Sequence, residues 1–211
     1  MKQGPKAYIF DMDGTLFDSS SAVPEAYIAS IKHLGGPAYD RDQIIAAYAI
    51  GPPSKILAHL LGRSSTSADL DAYHRYLEVS SRGLIPYDGI LRTLEELRKR
   101  QALAVFSGAS RRACELLLRA GGLEPLFSIV VGGDEAERPK PAPDGLLLAC
   151  KRLGVPPAEA AYVGDSQLDM QTAKAAGCHA IAAAWGHLYV SGLSAPDRVV
   201  ASPSDLLDST S

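Results

Sequence analysis

Two acids one residue apart, Asp11 and Asp13, follow the apolar run Ala7-Tyr8-Ile9-Phe10 and precede Gly14. The run reads as a short buried strand closed by a turn. Residues two apart in an extended segment point the same way, so both carboxylates are expected to face one pocket. In an open α/β sheet the chemistry sits just beyond the carboxyl ends of the strands. Read alone, the two acids also fit a turn or a cap. Spacing argues against an EF-hand loop, whose glycine belongs at the sixth position, whereas Gly14 falls at the fourth.

Other apolar runs end in polar groups too. Ser107 follows Leu103-Ala104-Val105-Phe106, Lys140 stands in the proline-rich stretch after Ser128-Ile129-Val130-Val131, and Asp165 and Asp169 follow Ala160-Ala161-Tyr162-Val163. Strand ends on one sheet edge converge, and together these groups suit a phosphate monoester. Asp11 and Asp165, with the Asp13 backbone carbonyl, offer hard oxygens for Mg²⁺. Lys140 supplies a point positive charge, Ser107 a hydroxyl, and the backbone N–H near Gly108 an anion contact. An aspartate can act as nucleophile. In isolation Lys140 reads as an exposed lysine, Asp169 as a solvated helix residue and Ser107 as a turn or helix cap. Their ordered appearance favours the chemical reading.

The elements that must hold these groups are legible as periodicities. Strands are expected at 7–10, 103–106, 128–131, 160–163 and 180–184, with a short sixth at 198–200. Helices are expected at 90–100, 111–120, 144–153 and 167–176. Parallel neighbours need connections of this length, so the fold class is α/β: a doubly wound parallel, Rossmann-like sheet with helices on both faces. Between the first strand and residue 84 no useful strand alternation occurs. Helices at 22–34, 41–49, 54–61 and 67–80 read there as an inserted helical cap. Ser19, Ser20 or Ser21 is expected to cap the first of them. The expected domains are an α/β core of residues 1–17 plus 87–211 and a cap of residues 18–86, with hinges near Asp18 and Pro86.

Bulk composition narrows the partners. The 211 residues carry a formal net charge of −3, with 46% hydrophobic and 21% charged residues, a globular balance. No basic face is evident, which argues against nucleic acid. No apolar run approaches the ~20 residues that cross a bilayer. A cytoplasmic protein, monomeric or weakly homodimeric, is expected. Cys114, Cys150 and Cys178 are far apart in sequence and read as small buried apolar residues rather than a disulfide framework or zinc site.

Asp11-Met12-Asp13-Gly14-Thr15-Leu16, Ser107, Lys140-Pro141-Ala142-Pro143 and Gly164-Asp165-Ser166-Gln167-Leu168-Asp169 resemble, in order and approximate spacing, the four motifs of the haloacid-dehalogenase (HAD) superfamily. The chain is similar end to end to the phosphoglycolate-phosphatase and β-phosphoglucomutase branch. The resemblance implies Asp11 as nucleophile and Asp13 as the acid that protonates the leaving group and then activates water. It implies Ser107 and Lys140 as phosphoryl holders, Mg²⁺ on Asp11, the Asp13 carbonyl and Asp165, and Asp169 standing behind those ligands. The presence of Asp13 favours phosphate chemistry over dehalogenation.

Two departures stand out. Gly108 replaces the Asn that often follows the motif-two Ser or Thr, leaving only a backbone N–H there. Motif four carries a single acid before Ser166, which leans toward a phosphatase. The expected function is hydrolysis of a small phosphorylated metabolite through an aspartyl-phosphate. A β-phosphoglucomutase-like sugar-phosphate mutase and a catalytically silent binding protein of the same fold are the alternatives. Arg111, Arg112 and Lys55 read as solvated residues, with anion contact as the rival reading. Asp134, Glu135 and Asp144 read as cap and loop acids, His33 and His74 as surface or partly buried residues, and Trp185 as core packing.

Overall fold

The structure is a computed structural model and describes residues 4–193 and 195–208. Strand β1 (Ala7–Phe10) is buried on both sides. Ala7 and Ile9 enter one apolar cluster, Tyr8 and Phe10 the other, as the two-residue period of a strand requires. β2 (Ala102–Phe106), β3 (Ile129–Val131), β4 (Ala160–Gly164), β5 (His179–Ala183) and β6 (Arg198–Val200) complete one parallel sheet in the order β3-β2-β1-β4-β5-β6. Helices α5 (Ile90–Leu97) and α6 (Arg111–Ala120) bury Ile90, Leu94 and Leu117 on one face. On the other, α7 (Asp144–Leu153) and α8 (Gln167–Ala176) bury Leu146, Ala149 and Ala173. Chain direction across the sheet switches beside β1, between β2 and β4, which is where such sheets open a crevice at their carboxyl edge.

Between β1 and α5 lie α1 (Ala22–His33), α2 (Arg41–Ala46), α3 (Pro53–Leu61) and α4 (Ser67–Ser80). Asp40 with Gln43, and Thr66 with Asp69, form reciprocal caps for α2 and α4. The sequence expectation for α2 ran to residue 49, but the helix tightens at Ala47–Ile50 into a 3₁₀ turn before Gly51 and Pro52. Pro53 takes the first position of α3, where its missing N–H costs nothing. α5 stops at Leu97 rather than residue 100, because Arg100 N–H donates to the Leu97 carbonyl and turns the chain. The expected serine cap of α1 is absent: Ser21 holds the cap position in a helical conformation without a side-chain bond. Ser19 N–H is engaged elsewhere, on Asp13.

The connections into and out of this helical segment lie side by side. Phe17 bridges Pro86, and Tyr87 N–H donates to the Leu16 carbonyl at 3.0 Å. The segment also docks on the sheet layer through α4 and α6, where His74 Nε2 lies 3.1 Å from Ser110 Oγ and Arg112 pairs with Asp71. His74 is therefore buried, further inside than the surface or partly buried position its sequence context suggested. Among the described residues no helix is long and apolar enough to cross a membrane. Cys114, Cys150 and Cys178 are free and buried, but Cys150 of α7 and Cys178, in the turn between α8 and β5, bring their sulfurs to 3.8 Å. Their separation in sequence gave no sign of that contact.

Candidate active site

β1 ends at Phe10, so Asp11 is the first residue past the central strand. Its backbone N–H still donates to the Val163 carbonyl of β4, which fixes its direction. Gly14 then turns the chain at φ +78°, a conformation that favours glycine. A Cβ there would also collide with the Asp165 carboxylate. The turn folds back on itself, with Gly14 N–H donating to the Phe17 carbonyl at 2.9 Å. That places Ser19 N–H 2.8 Å from Asp13 Oδ1. One carboxylate oxygen of Asp13 is thus held by backbone, and its side chain reaches the same cavity as Asp11.

Lys140 arrives on the loop after β3, through a cis Lys140–Pro141 peptide. Its ammonium donates to Asp11 Oδ1 and to Asp169 Oδ1, both at 2.7 Å. It lies 5.1 Å from the Phe106 ring centre and 5.2 Å from that of Tyr162, within cation–π range. Two of its three N–H donors are therefore engaged by carboxylates. Asp169 is saturated: Oδ1 meets Lys140 and lies 3.2 Å from the Tyr162 hydroxyl, while Oδ2 accepts from the Ser166 backbone N–H and hydroxyl. It aims Lys140 rather than waiting for a ligand.

Asp165 is the first residue past β4, the neighbour of β1, and so lies beside Asp11. Oδ2 accepts from Leu188 N–H at 2.9 Å, whereas Oδ1 is buried without a hydrogen-bond partner. Ligand oxygens of Asp11, Asp165 and Asp169 lie within 4.8 Å of one another. Burial lifts the Asp11 carboxyl above its ordinary range against the pull of Lys140, and the Asp169 charge adds to the rise. Burial likewise lifts Asp165, to about 6, with the Leu188 N–H opposing. Burial also opposes the Lys140 charge, yet its two carboxylate partners more than compensate and hold it above the ordinary lysine range. Three buried carboxylates around one ammonium are short of positive charge. An oxygen donor set with one orphaned oxygen fits a small, hard divalent cation. Because Asp169 is saturated, the donors left for it are on Asp11 and Asp165.

Ser107 follows β2 and is buried, with its hydroxyl oxygen accepting from Ala109 N–H at 3.3 Å. It is not the cap of α6. Ser110 is, accepting from Ala113 N–H at 3.3 Å, so the Ser107 O–H takes no part in the cap. Gly108 is exposed on the cavity wall. Gly133 approaches its backbone so closely that a Cβ could not fit. The cavity, of about 530 Å³, has Asp11, Asp13, Ser107, Gly108, Lys140 and Asp169 at its polar end. Asp165 sits just behind it, buried.

The remaining candidates lie elsewhere. Arg111 pairs with Glu115 and Glu135, and Arg112 with Asp71, all on the surface side of α6. Lys55 is exposed. Asp144 pairs with Arg138 within the first turn of α7, and Asp134 accepts from Arg111 N–H. Trp185 packs behind the acidic turn and donates from Nε1 to the Thr15 carbonyl. Sequence reasoning missed Tyr162, Ser166, Gly186 and Leu188. Tyr162 read as strand core, and it is buried, but its hydroxyl reaches the Phe106 carbonyl and Asp169. Gly186 allows the loop after β5 to touch Asp165, since a Cβ there would strike both Asp165 and the Gly14 carbonyl. Ser166 could have been found: Ser166 and Asp169 have capping-box spacing.

With that geometry in place, comparison with known proteins is informative. The family model described as haloacid dehalogenase-like hydrolase matches residues 8–183. A phosphoglycolate phosphatase from Chromobacterium violaceum is 35% identical over 96% of this chain and 95% of its own length. A phosphoglycolate phosphatase from Escherichia coli K12 is 30% identical over 94% of this chain and 89% of its own. The crystal structure of CbbY from Rhodobacter sphaeroides in complex with phosphate superposes with a TM-score of 0.81 over 96% of each chain at 24% identity, a likeness of fold.

Proposed function

This chain belongs to the haloacid dehalogenase-like hydrolase family, and from that premise we propose that it is a Mg²⁺-dependent phosphatase that cleaves a small phosphorylated metabolite through an aspartyl-phosphate on Asp11. It is an enzyme of the phosphoric monoester hydrolase class, similar to the phosphoglycolate phosphatases. The observation that carries the reading is Lys140 Nζ at 2.7 Å from both Asp11 and Asp169, at the polar end of a cavity that also holds Asp13 and Ser107.

In this mechanism the Ser107 hydroxyl, the Gly108 N–H and the remaining Lys140 donor bind the phosphoryl oxygens. An Asp11 carboxylate oxygen bonds to phosphorus as the ester P–O bond breaks, and Asp13 gives its proton to the departing alkoxide. Asp13, now a carboxylate, takes a proton from water. The resulting hydroxide attacks phosphorus, the Asp11–phosphorus bond breaks, and inorganic phosphate leaves. The Ser19 N–H holds Asp13 for both proton transfers. Asp11, Asp165 and the Asp13 carbonyl would hold Mg²⁺, which when bound offsets the charge of the phosphoryl group and its repulsion from Asp11. Asp169 and Tyr162 keep Lys140 aimed.

Residues 18–86 act in this proposal as a cap domain over a core of residues 1–17 and 87–211, and flexing of the paired connections near Asp18 and Pro86 admits substrate. A cytoplasmic location and a monomeric or weakly dimeric state, without nucleic acid or membrane partners, belong to the same proposal. Three buried free thiols suit a reducing compartment. The test is phosphate release from a panel of small phosphate esters with Mg²⁺, with and without chelator, for wild type and Asp11→Asn. Release that needs both metal and Asp11 is expected. Isomerisation of a hexose 1-phosphate without free phosphate would overturn the hydrolase in favour of a mutase.

A further inference from the structure

The cavity has two unlike kinds of lining. Besides the carboxylates and Lys140, its wall is Val23 and Tyr27 of α1, Tyr48, Ile56 of α3, Tyr73 of α4 and Leu117 of α6. Tyr27 and Tyr73 stack with ring centres 4.3 Å apart, and Tyr48 lies 6.2 Å from Tyr27. The wall is therefore aromatic and aliphatic. Lys140 is the only cationic side chain among the lining residues, and it is engaged by Asp11 and Asp169. Arg41 and Lys55 are exposed and do not line the cavity.

Two hydroxyls complete the wall. Ser19 Oγ and Tyr48 Oη are buried and have no hydrogen-bond partner among the described residues, and both residues line the cavity. Buried polar groups are normally paired, and neither hydroxyl carries a charge that would offset a carboxylate.

We propose that the ester cleaved here has an uncharged leaving group with an apolar or aromatic body, and that this wall selects it over a carboxylated leaving group such as glycolate. The proposal rests on the phosphatase reading and names the substrate class for the same site. A carboxylate on the leaving group would enter an apolar wall whose lining offers no cation besides the engaged Lys140, Arg41 near Tyr48 being exposed to solvent, and would lie beside four aspartates that already repel it. An apolar body instead gains the contact area that the wall offers. Size agrees: about 530 Å³ falls within the ~300–1,000 Å³ of sites that enclose whole small ligands, well beyond the needs of a two-carbon acid.

The test compares 2-phenylethyl phosphate with phosphoglycolate. Both are esters of primary alcohols, so leaving-group chemistry does not decide the outcome. With purified full-length protein and Mg²⁺, kcat/KM for 2-phenylethyl phosphate is expected to exceed that for phosphoglycolate at least tenfold. Val23→Arg, at a half-buried wall position, places a cation on the wall and is expected to move the ratio at least tenfold toward phosphoglycolate. Equal or better use of phosphoglycolate by wild type would overturn the inference and leave the phosphatase reading standing. A folded Val23→Arg protein with an unchanged ratio would overturn the role given to the wall. Failure on both esters with release from p-nitrophenyl phosphate would also overturn the substrate class. Failure on all three would overturn the phosphatase itself, and the inference with it.

Discussion

Replacing Asp13 by Asn separates chemistry from scaffolding. Asp13 Oδ1 accepts the Ser19 N–H at 2.8 Å, and the amide oxygen of Asn can accept the same bond. The backbone carbonyl assigned to Mg²⁺ is untouched by the substitution. Stability is therefore expected to change by less than about 1 kcal/mol, the range for substitutions that break no packing or network. The proton that Asp13 shuttles has no substitute within the turn. General acid–base catalysis contributes roughly 10²–10⁴ in rate, or about 2.7–5.4 kcal/mol of barrier. kcat/KM for an alkyl phosphate is expected to fall by that factor. The loss is expected to shrink for an aryl phosphate, whose leaving group needs no proton, and the phosphoenzyme should then accumulate. Mg²⁺ affinity, read from the rise in Tm with metal concentration, is expected to stay within threefold of wild type. Activity within tenfold of wild type, or parallel loss of activity and metal affinity, would refute the acid–base role.

Two other perturbations probe the parts that hold the site. Lys140→Met removes the partner of two buried carboxylates, and unpairing a buried ion costs about 3–5 kcal/mol; denaturation of the metal-free protein should show that loss, with kcat/KM down at least a hundredfold, and a loss under 1 kcal/mol would mean the contacts with Asp11 and Asp169 are not held. His74 is buried at the α4–α6 contact, and burial, then Arg112, lowers its pKa to about 4. The unfolded chain binds that proton near pH 6.5, so the unfolded state holds more protons between those values. Stability should therefore fall as pH drops from about 6.5 to 4, by about 3 kcal/mol at most. The difference between wild type and His74→Gln in urea unfolding across that range isolates the effect, and parallel curves would contradict it.

The sheet was legible because each strand is a short apolar run closed by a polar or glycine residue, and the observed β1, β2, β4 and β5 lie within a residue of expectation. Asp11, Asp165, Lys140 and Ser107 were legible because each falls just past such a run or on the loop that follows it. What the sequence hid is what the fold supplies over distance. Leu188 N–H reaches Asp165 across a loop that carries no motif. The Tyr162 hydroxyl is invisible in a strand that reads as apolar. Ser107 and Ser110 compete for one cap in the sequence, and only the first helical residue, Arg111, decides between them. His74 read as surface or partly buried because nothing in the sequence around it on α4 reveals its contact with α6.

The most direct test of Asp11 as nucleophile is a rapid-quench turnover with phosphate-labelled substrate and Mg²⁺, followed by peptide mapping. An acid-stable, alkali-labile phosphoryl group on the peptide carrying Asp11, forming and decaying at rates that account for turnover and absent in Asp11→Asn, is the predicted result. Normal phosphate release with no label on that peptide at any time, or with label on a different residue, would contradict it.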